Sequence, residues 1–493
     1  MIEAAAKSFK GRMKSAPTIR PVFRLALLCG LFAALPASAQ PNALPLVVRS
    51  ALLEAGIPLA NMAAVVRELG SRRVALSVNA NAPMNPASVM KLVTTYAALE
   101  TLGPGFRWRT DVYLDGMRRG EVLEGNLVLK GRGDPKLDYE QFWALLRNLR
   151  GKGLREIRGD LVLDRGYFAE GAGDPDGFDG EGLRPYNVLP DALLVNFKAV
   201  RFAFVPEAET GAVRVFAEPH PAALEIANGL RLAEGACAEG RAFRALIGAS
   251  FEPGPPPRAA FTGRYPSSCG EREMHVALLN PQDNVAAVMR QLWTELGGAW
   301  NGGVSAGQAP VGAAPFHVHE SPPLAEIVRD TNKYSLNVMA RQLFLTIAAE
   351  TVGAPARLED AQRVVRQLLA VKGVDAPELV LENGSGLSRA ERISAASLAA
   401  LLGAAWQSPV MPEFVASLPI VAIDGTMRRR LRGDPVAGRA HIKSGLLADS
   451  VAIAGYVLDR SGRRQAVVAI VNHPAAPKAQ GALDALLRWA YER

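Results

Sequence analysis

Histidine and cysteine are scarce in this chain, with 6 histidines and 3 cysteines among 493 residues. No histidine stands in a His-Glu-x-x-His motif, so the sequence gives no sign of that kind of zinc site. We interpret His317-x-His319, which precedes Pro322-Pro323, as a linker. A Gly-x-Ser-x-Gly motif is also absent, which leaves a Ser-His-Asp hydrolase unsupported. Nothing in the sequence implies a metal or an organic cofactor.

Long apolar runs are missing as well, apart from one near the N-terminus. Leu25–Leu35 is too short to span a bilayer comfortably. It follows a basic stretch and precedes Ala37-Ser38-Ala39, which fits the cleavage site of a secretory signal peptide. We therefore predict a signal peptide over residues 1–39 and a periplasmic mature protein. That protein would have no transmembrane segment, and a peripheral association with membrane or cell wall is compatible with it.

A large excess of positive charge is missing from the predicted mature chain. Residues 1–39 hold six basic residues and one acidic residue, so their removal lowers the formal net charge from +8 to +3. The basic character is then mainly a property of the export signal. Nucleic-acid binding loses its main support, and we expect no nucleic-acid partner.

The few cysteines leave two readings open. Cys29 lies inside the signal peptide and should leave with it. Cys237 and Cys269 then form an even pair in an exported chain, where an oxidising compartment permits a disulfide. Two unpaired buried thiols are the alternative, because sequence alone does not fix the separation of the two side chains.

The organisation of the remaining residues, about 450 of them, suggests two or three domains. Strand patterns at Met62–Leu69 and near the C-terminus predict one sheet built from both ends of the chain, flanked by helices such as Leu324–Ala349. The middle is rich in glycine, proline and short strand patterns. We expect an α/β (α+β) domain made of residues 40–112 and 312–493, interrupted by a mostly β insertion at 113–311 that forms one or two lobes.

The tetrad Ser88-Val89-Met90-Lys91 is the first candidate for chemistry. Asn85 can cap a helix and Pro86 suits its first position, so a helix is predicted from about Pro86 to Leu102. A serine and a lysine three residues apart on a helix project to one side, which gives the hydroxyl a local base. Taken alone, such a motif also occurs by chance.

Two further motifs follow in an order that matters. Ser335-Leu336-Asn337 lies within a helical pattern, and Lys443-Ser444-Gly445 lies at the end of a predicted strand. The order Ser-x-x-Lys, Ser-x-Asn, Lys-Ser/Thr-Gly is that of active-site serine penicillin-recognising enzymes. The chain resembles the class C low-molecular-mass penicillin-binding proteins, the D-alanyl-D-alanine carboxypeptidase/endopeptidase family, whose fold is a transpeptidase/β-lactamase-like domain with a central antiparallel sheet. Further family-like strings are Gly131–Pro135, Gly159–Val162, Asn383–Arg389 and Asp424–Thr426.

The resemblance implies a role for each matching residue. Ser88 resembles the nucleophile and Lys91 its base, and Ser335 would relay a proton to the leaving amine. Asn337 would bond the substrate amide and Lys91. Substrate binding falls to the strand residues Lys443, Ser444, Gly445 and Leu446: the first two would receive the terminal carboxylate, and the N–H groups of Ser88 and Leu446 would form the oxyanion hole. Peptidoglycan peptides and β-lactams are the implied ligands.

Three departures from the family pattern limit this reading. Leu336 stands where the family often has aspartate, Ser444 replaces threonine, and Asn383 replaces aspartate. Ser444 keeps its hydroxyl, whereas Leu336 removes a carboxylate from the second motif, a change that bears on rate and substrate preference more than on reaction type. A β-lactamase-type hydrolase, or a non-catalytic peptidoglycan-binding scaffold, is the alternative.

Overall fold

The computed structural model describes residues 43–71, 73–169, 173–221, 223–254 and 256–493, so the predicted signal peptide lies outside it. No helix within these ranges is long and apolar enough to cross a membrane. The helices are α1 (Leu46–Glu54), α2 (Lys91–Leu102), α3 (Tyr139–Gly151), α4 (Gly240–Leu246), α5 (Pro281–Glu295), α6 (Leu324–Lys333), α7 (Asn337–Thr351), α8 (Leu358–Val371), α9 (Ala395–Gln407), α10 (Met411–Ser417) and α11 (Gln480–Glu492). The strands are β1 (Met62–Glu68), β2 (Val74–Val78), β3 (Arg109–Arg119), β4 (Val122–Lys130), β5 (Glu156–Ile157), β6 (Leu161–Asp164), β7 (Val200–Glu207), β8 (Ala212–Glu218), β9 (Glu225–Ala233), β10 (Ser250–Glu252), β11 (Arg258–Pro266), β12 (Arg272–Val276), β13 (Ala299–Trp300), β14 (Val304–Ala306), β15 (His317–Glu320), β16 (Ala440–Leu446), β17 (Ser450–Leu458) and β18 (Arg464–Asn472).

The first sheet joins the two ends of the described chain, as the strand patterns predict. Its order is β16-β17-β18-β1-β2, and every neighbouring pair is antiparallel. Alternate residues of β18 serve different cores: Val468 and Ile470 pack on one face, and Val467 and Val471 on the other. Each fully buried side chain of this size contributes about 1.5–3 kcal/mol. Burial on both faces explains why β18 is apolar along most of its length.

The two faces of this sheet are covered by different helices. Helices α1 and α11 pack together on one face, with the core residues Val48, Leu52 and Leu486. The other face carries α2, α7 and α9. Helix α2 contacts α6, α7 and α8, so its residues are buried all round, including Lys91. This burial of α2 between the sheet and other helices decides the chemistry of the site.

The middle of the chain forms two further sheets with separate hydrophobic cores. One has the order β13-β5-β4-β3-β15, with β6 paired to β4 and β14 paired to β6, and it packs against α3 and α5. The other has the order β10-β11-β9-β8-β7-β12. Cys237 and Cys269 are joined by a disulfide within this last unit, with Cα atoms 4.9 Å apart. The reading with two unpaired thiols is therefore wrong.

The segment before Pro322 differs from the sequence interpretation. His317 and His319 lie in β15, which pairs with β3, so the interpretation of this segment as linker is wrong. The same pairing carries the second sheet from Arg109 to Glu320, slightly beyond the predicted insertion limits of 113 and 311. The division of the chain into domains stays a prediction.

The predicted helix over Leu324–Ala349 is wrong in its middle. Two helices, α6 and α7, are separated by Tyr334, Ser335 and Leu336. Ser335 has φ of 59°, in the left-handed region, which cannot continue a right-handed helix. The break therefore places Ser335 on a turn at the start of α7 and not on a helix face.

Candidate active site

Ser88 lies on a short 3₁₀ turn, Ala87–Met90, directly before α2. The α-helix therefore begins at Lys91 and not near Pro86, because Ala87 has φ of 48° and interrupts regular helix there. Asn85 Oδ1 accepts a hydrogen bond from the Ala87 N–H at 2.9 Å. In a 3₁₀ turn the side chains at i and i+3 are aligned, and Lys91 Nζ lies 2.9 Å from Ser88 Oγ.

The amine of Lys91 is buried and surrounded by oxygen atoms. Nζ lies 2.6 Å from Asn337 Oδ1 and 2.5 Å from the carbonyl oxygen of Ser385. The orientation of the Asn337 amide is fixed from its other end, since Nδ2 donates to the carbonyl of Tyr186 at 3.1 Å. Both acceptors lack a hydrogen to donate. A neutral amine has two hydrogens, which these acceptors take, so its lone pair faces the hydroxyl of Ser88.

The charge state of Lys91 follows from its surroundings. Burial lowers the pKa of Lys91 well below its usual value, and positive charge on Lys443 and Arg341 lowers it further, whereas the Glu391 carboxylate acts in the opposite direction. Burial and like charge both disfavour an ammonium group. Burial and the nearby positive charge therefore favour the neutral amine, which is the form that can accept the Ser88 proton.

A second lysine faces the same site from β16. Lys443 Nζ donates to Ser335 Oγ at 2.8 Å and to the carbonyl oxygen of Ser444 at 2.7 Å. The Lys443 side chain is buried, and this burial lowers the pKa of Lys443 to about 7. The hydroxyl of Ser444 lies 2.7 Å from that of Thr426. The third motif thus supplies a titratable amine and a pair of hydroxyls side by side.

The backbone of β16 runs next to the nucleophile as the edge strand of its sheet. Ile442 N–H points away from β17 and donates to the carbonyl of Pro419 at 2.7 Å. Since N–H directions alternate along an antiparallel strand, Leu446 N–H also points to the free edge. A Cβ on Gly445 would lie 3.0 Å from Ser88 N, so glycine permits this close approach. An oxyanion hole made by Ser88 and Leu446 stays a prediction.

All eight sequence-predicted site residues thus belong to three segments that meet around Ser88. The structure adds Ser385, Tyr186 and Thr426 to them. Ser385 and Thr426 lie in family-like strings, which was the available signal, whereas Tyr186 carried none. Among the described residues, no three His, Cys, Asp or Glu side chains lie close enough together to hold a metal ion.

Comparison with known proteins identifies the family. The model of the D-Ala-D-Ala carboxypeptidase 3 (S13) family matches residues 47–491. The chain is 32% identical to the D-alanyl-D-alanine carboxypeptidase of an Actinomadura strain over 409 residues, which is 79% of this chain and 73% of the relative. It is 23% identical to the D-alanyl-D-alanine carboxypeptidase DacB of Haemophilus influenzae over 84% of this chain and 85% of the relative.

The fold has counterparts among solved structures. The crystal structure of penicillin binding protein 4 (dacB) from Haemophilus influenzae matches with a TM-score of 0.73 and 23% sequence identity, covering 90% of this chain and 99% of that one. A structure of that protein in complex with a β-lactam matches with a TM-score of 0.71 and 22% identity, over 91% of this chain and 100% of that one. These likenesses agree with the predicted transpeptidase-like fold with a large β insertion. On the family match and the Actinomadura relative, the chain belongs to the D-Ala-D-Ala carboxypeptidase 3 (S13) family.

Proposed function

We propose that the protein is a serine D,D-carboxypeptidase of peptidoglycan metabolism in which Ser88 is the nucleophile. The observation that carries this assignment is the placement of Lys91 Nζ, 2.9 Å from Ser88 Oγ, with its two other contacts made to oxygens that can only accept. A lone pair held in this direction makes a weak alcohol nucleophilic without a histidine.

The acylation step follows from this contact. Ser88 Oγ attacks the carbonyl carbon of the penultimate D-alanine while its proton passes to the Lys91 amine. The oxyanion that forms would be stabilised by the N–H groups of Ser88 and Leu446, and loss of one such donor costs about 3–4 kcal/mol in other acyl-transfer enzymes. As the C–N bond breaks, Ser335 Oγ relays a proton to the leaving amino group of D-alanine: it gives up its own hydrogen and takes up the proton that Lys91 accepted, so that Lys91 is neutral again. Water then hydrolyses the ester and regenerates Ser88.

Recognition of the substrate carboxylate falls to β16 and its neighbour. The hydroxyls of Ser444 and Thr426 lie together and can both donate to a carboxylate. Lys443, whose pKa burial lowers to about 7, takes up a proton more readily when an anion arrives, because an opposite charge favours the ammonium form. The site would therefore gain positive charge when the substrate binds.

Cleavage of D-alanyl cross-links is the finer part of the proposal. The same acyl group is transferred to Ser88, and only the leaving amine differs. Digestion of cross-linked muropeptides by the purified protein tests it: release of monomers supports endopeptidase activity, and unchanged dimers alongside D-alanine release restrict the enzyme to carboxypeptidase activity.

Export to the periplasm is also part of the proposal. The disulfide between Cys237 and Cys269 supports it, since disulfides persist in oxidising compartments. Fractionation of cells that produce the full chain, with N-terminal sequencing of the product, tests both the location and the cleavage after Ala39. A cytoplasmic, uncleaved product would contradict the proposal.

Labelling with a fluorescent penicillin tests the assignment of Ser88. The wild type should be labelled and should release D-alanine from a pentapeptide, and Ser88→Ala should do neither. Ser461→Ala is the matched control, because Ser461 lies in the turn between β17 and β18 and its hydroxyl bonds, among the described residues, only to Asp459 and Arg463. An unlabelled wild type would refute the proposal, labelling without D-alanine release would favour the scaffold, and rapid release of hydrolysed penicillin would favour a β-lactamase.

A further inference from the structure

Glu391 is a buried acid beside the site that the proposed reaction leaves without a role. Its side chain is fully buried, and Oε1 accepts hydrogen bonds from three consecutive backbone N–H groups, those of Glu382 at 3.2 Å, Asn383 at 3.0 Å and Gly384 at 3.1 Å. Bonds from N–H groups to an ionised carboxylate are about twice as strong as neutral ones. A single carboxylate oxygen thus fixes the start of the segment 382–387.

This segment lies against the nucleophile turn and α2. The carbonyl of Gly384 accepts from Thr94 Oγ1 at 2.6 Å, and the next carbonyl, that of Ser385, accepts from Lys91 Nζ at 2.5 Å. A Cβ on Gly386 would lie 2.0 Å from the carbonyl oxygen of Ala87, so the two backbones are in direct contact. A shift of this segment would therefore move an acceptor of Lys91 and press on the residue before Ser88.

Glu391 also differs in charge from the other ionisable groups around Lys91. Arg341 from α7 is a cation, and Lys443 from β16 is one when its amine is protonated, whereas Glu391 is the group that favours the charged form of Lys91. Within the described residues, Glu391 Oε2 is buried and makes no hydrogen bond. Burial raises the pKa of Glu391, while its three N–H donors and Lys91 act in the opposite direction.

We propose that Glu391 is a positioning residue for Lys91: it fixes the Ser385 carbonyl that takes one hydrogen of the amine, and its charge opposes that of Lys443 and Arg341. This inference rests on the proposed function, because it presumes that Lys91 is the base for Ser88. It assigns a role in catalysis to a carboxylate that touches neither Ser88 nor the substrate.

Two variants separate the two parts of this role. Glu391→Gln keeps an acceptor oxygen for the three N–H groups and removes the charge, whereas Glu391→Ala removes both. Glu378 provides the matched control, since Glu378 Oε1 likewise accepts from a backbone N–H, that of Ser394 at 2.9 Å, and from Ser397 Oγ at 2.7 Å. These two partners of Glu378 lie at the start of α9, and not in the segment 382–387 that contacts Lys91. Glu378→Gln should lose thermal stability without a change in acylation.

The measurement is the second-order rate of acylation by a fluorescent penicillin from pH 5 to pH 9, with a thermal melt of each protein. In the wild type, the rate should fall at acid pH as Lys91 becomes protonated. Glu391→Gln should keep the high-pH rate within about threefold, because the backbone acceptor is retained. Its acid limb should move down by about one pH unit, since loss of a nearby negative charge disfavours the ammonium.

Glu391→Ala should lose at least about tenfold in the high-pH rate, as expected when a segment that positions reacting groups shifts. Rates in both Glu391 variants that match the wild type, with an unmoved acid limb, would overturn the inference. If Glu391→Ala fails to fold, the acid limb of Glu391→Gln decides: a shift supports the role and an unmoved limb refutes it. Failure of the wild type itself to be acylated would instead refute the proposed function.

Discussion

Replacing Gly386 by alanine should slow acylation of Ser88 about a hundredfold. The new Cβ would lie 2.0 Å from the carbonyl oxygen of Ala87 and 2.8 Å from Ser88 N, whereas real Cβ atoms essentially never come closer than 3.0 Å to such atoms. The nucleophile turn or the segment 382–387 must therefore move by about 1 Å, and a misplacement of that size can cost about 100-fold in rate. The left-handed φ of 81° at Gly386 adds about 1–2 kcal/mol of strain for alanine.

Gly373→Ala isolates the strain from the displacement. Gly373 has nearly the same backbone angle, φ of 71°, but nothing lies within 4 Å of a Cβ built there. Both variants should therefore lose a similar amount of stability from the backbone angle, and only Gly386→Ala should lose acylation. Stopped-flow acylation by a fluorescent penicillin and urea unfolding of both variants give the comparison. A Gly386→Ala protein that acylates at the wild-type rate would show that Ala87 and Ser88 need no fixed position.

Three further changes should affect stability in predictable ways. Leu336 is the N-cap of α7 without a side-chain cap bond, so Leu336→Asp should raise the free energy of unfolding in urea by about 1 kcal/mol, and an unchanged midpoint would contradict this. Lys443→Met should gain more in Tm over the wild type at pH 6 than at pH 9. Burial lowers the pKa of Lys443 from 10.5 to about 7, so the folded chain bears the full cost of the charged amine below pH 7 and less as pH rises towards 10; equal gains would refute this. Replacing both Cys237 and Cys269 by serine opens a loop with a sequence separation of 32, which should destabilise the third sheet by about 4 kcal/mol in a chain-entropy treatment and leave penicillin labelling intact. Thermal melts with and without reductant check this prediction: reductant should change the Tm of the wild type and leave the Tm of the double variant unchanged.

The sequence predicts the first sheet well because its signal is local. The strands near both ends have continuous apolar patterns, and β1 (Met62–Glu68) ends one residue before the predicted strand Met62–Leu69. The three motifs are likewise short, so each is legible by itself. Their convergence on Ser88 rests on the family resemblance and not on periodicity, since no local pattern reports contacts between residues 91 and 337.

Hydrophobic periodicity could not predict the backbone conformation of the first two motifs, because that backbone departs from helical geometry. Ala87 and Ser335 both have left-handed φ values, of 48° and 59°, at positions where the apolar pattern continues a helix. Such conformations persist where surrounding structure fixes them, and they cluster at active sites. The apolar pattern therefore predicted helix through Ala87 and Ser335, whereas both residues lie outside the α-helices.

Tyr186 and Glu391 could not be found from the sequence for a different reason. Tyr186 contributes only a backbone carbonyl to Asn337, so any residue type could serve at that position. Glu391 contributes a side chain, but its three partners are backbone N–H groups, which leave no complementary residue type in the sequence. Contacts that end on backbone atoms are invisible to motif analysis.

The choice of asparagine at position 337 follows from the same chemistry as the rest of the site. A base made of a neutral amine needs its lone pair left for Ser88, so every other neighbour must accept and none may donate. A hydroxyl at position 337 could donate its hydrogen to the amine and compete with Ser88. The amide oxygen of Asn337 cannot donate, and the Tyr186 carbonyl holds the NH₂ group away from Lys91 by accepting its hydrogen. The carbonyl that sets the direction of this amide belongs to the region predicted as an insertion, so that region would take part in the proposed chemistry.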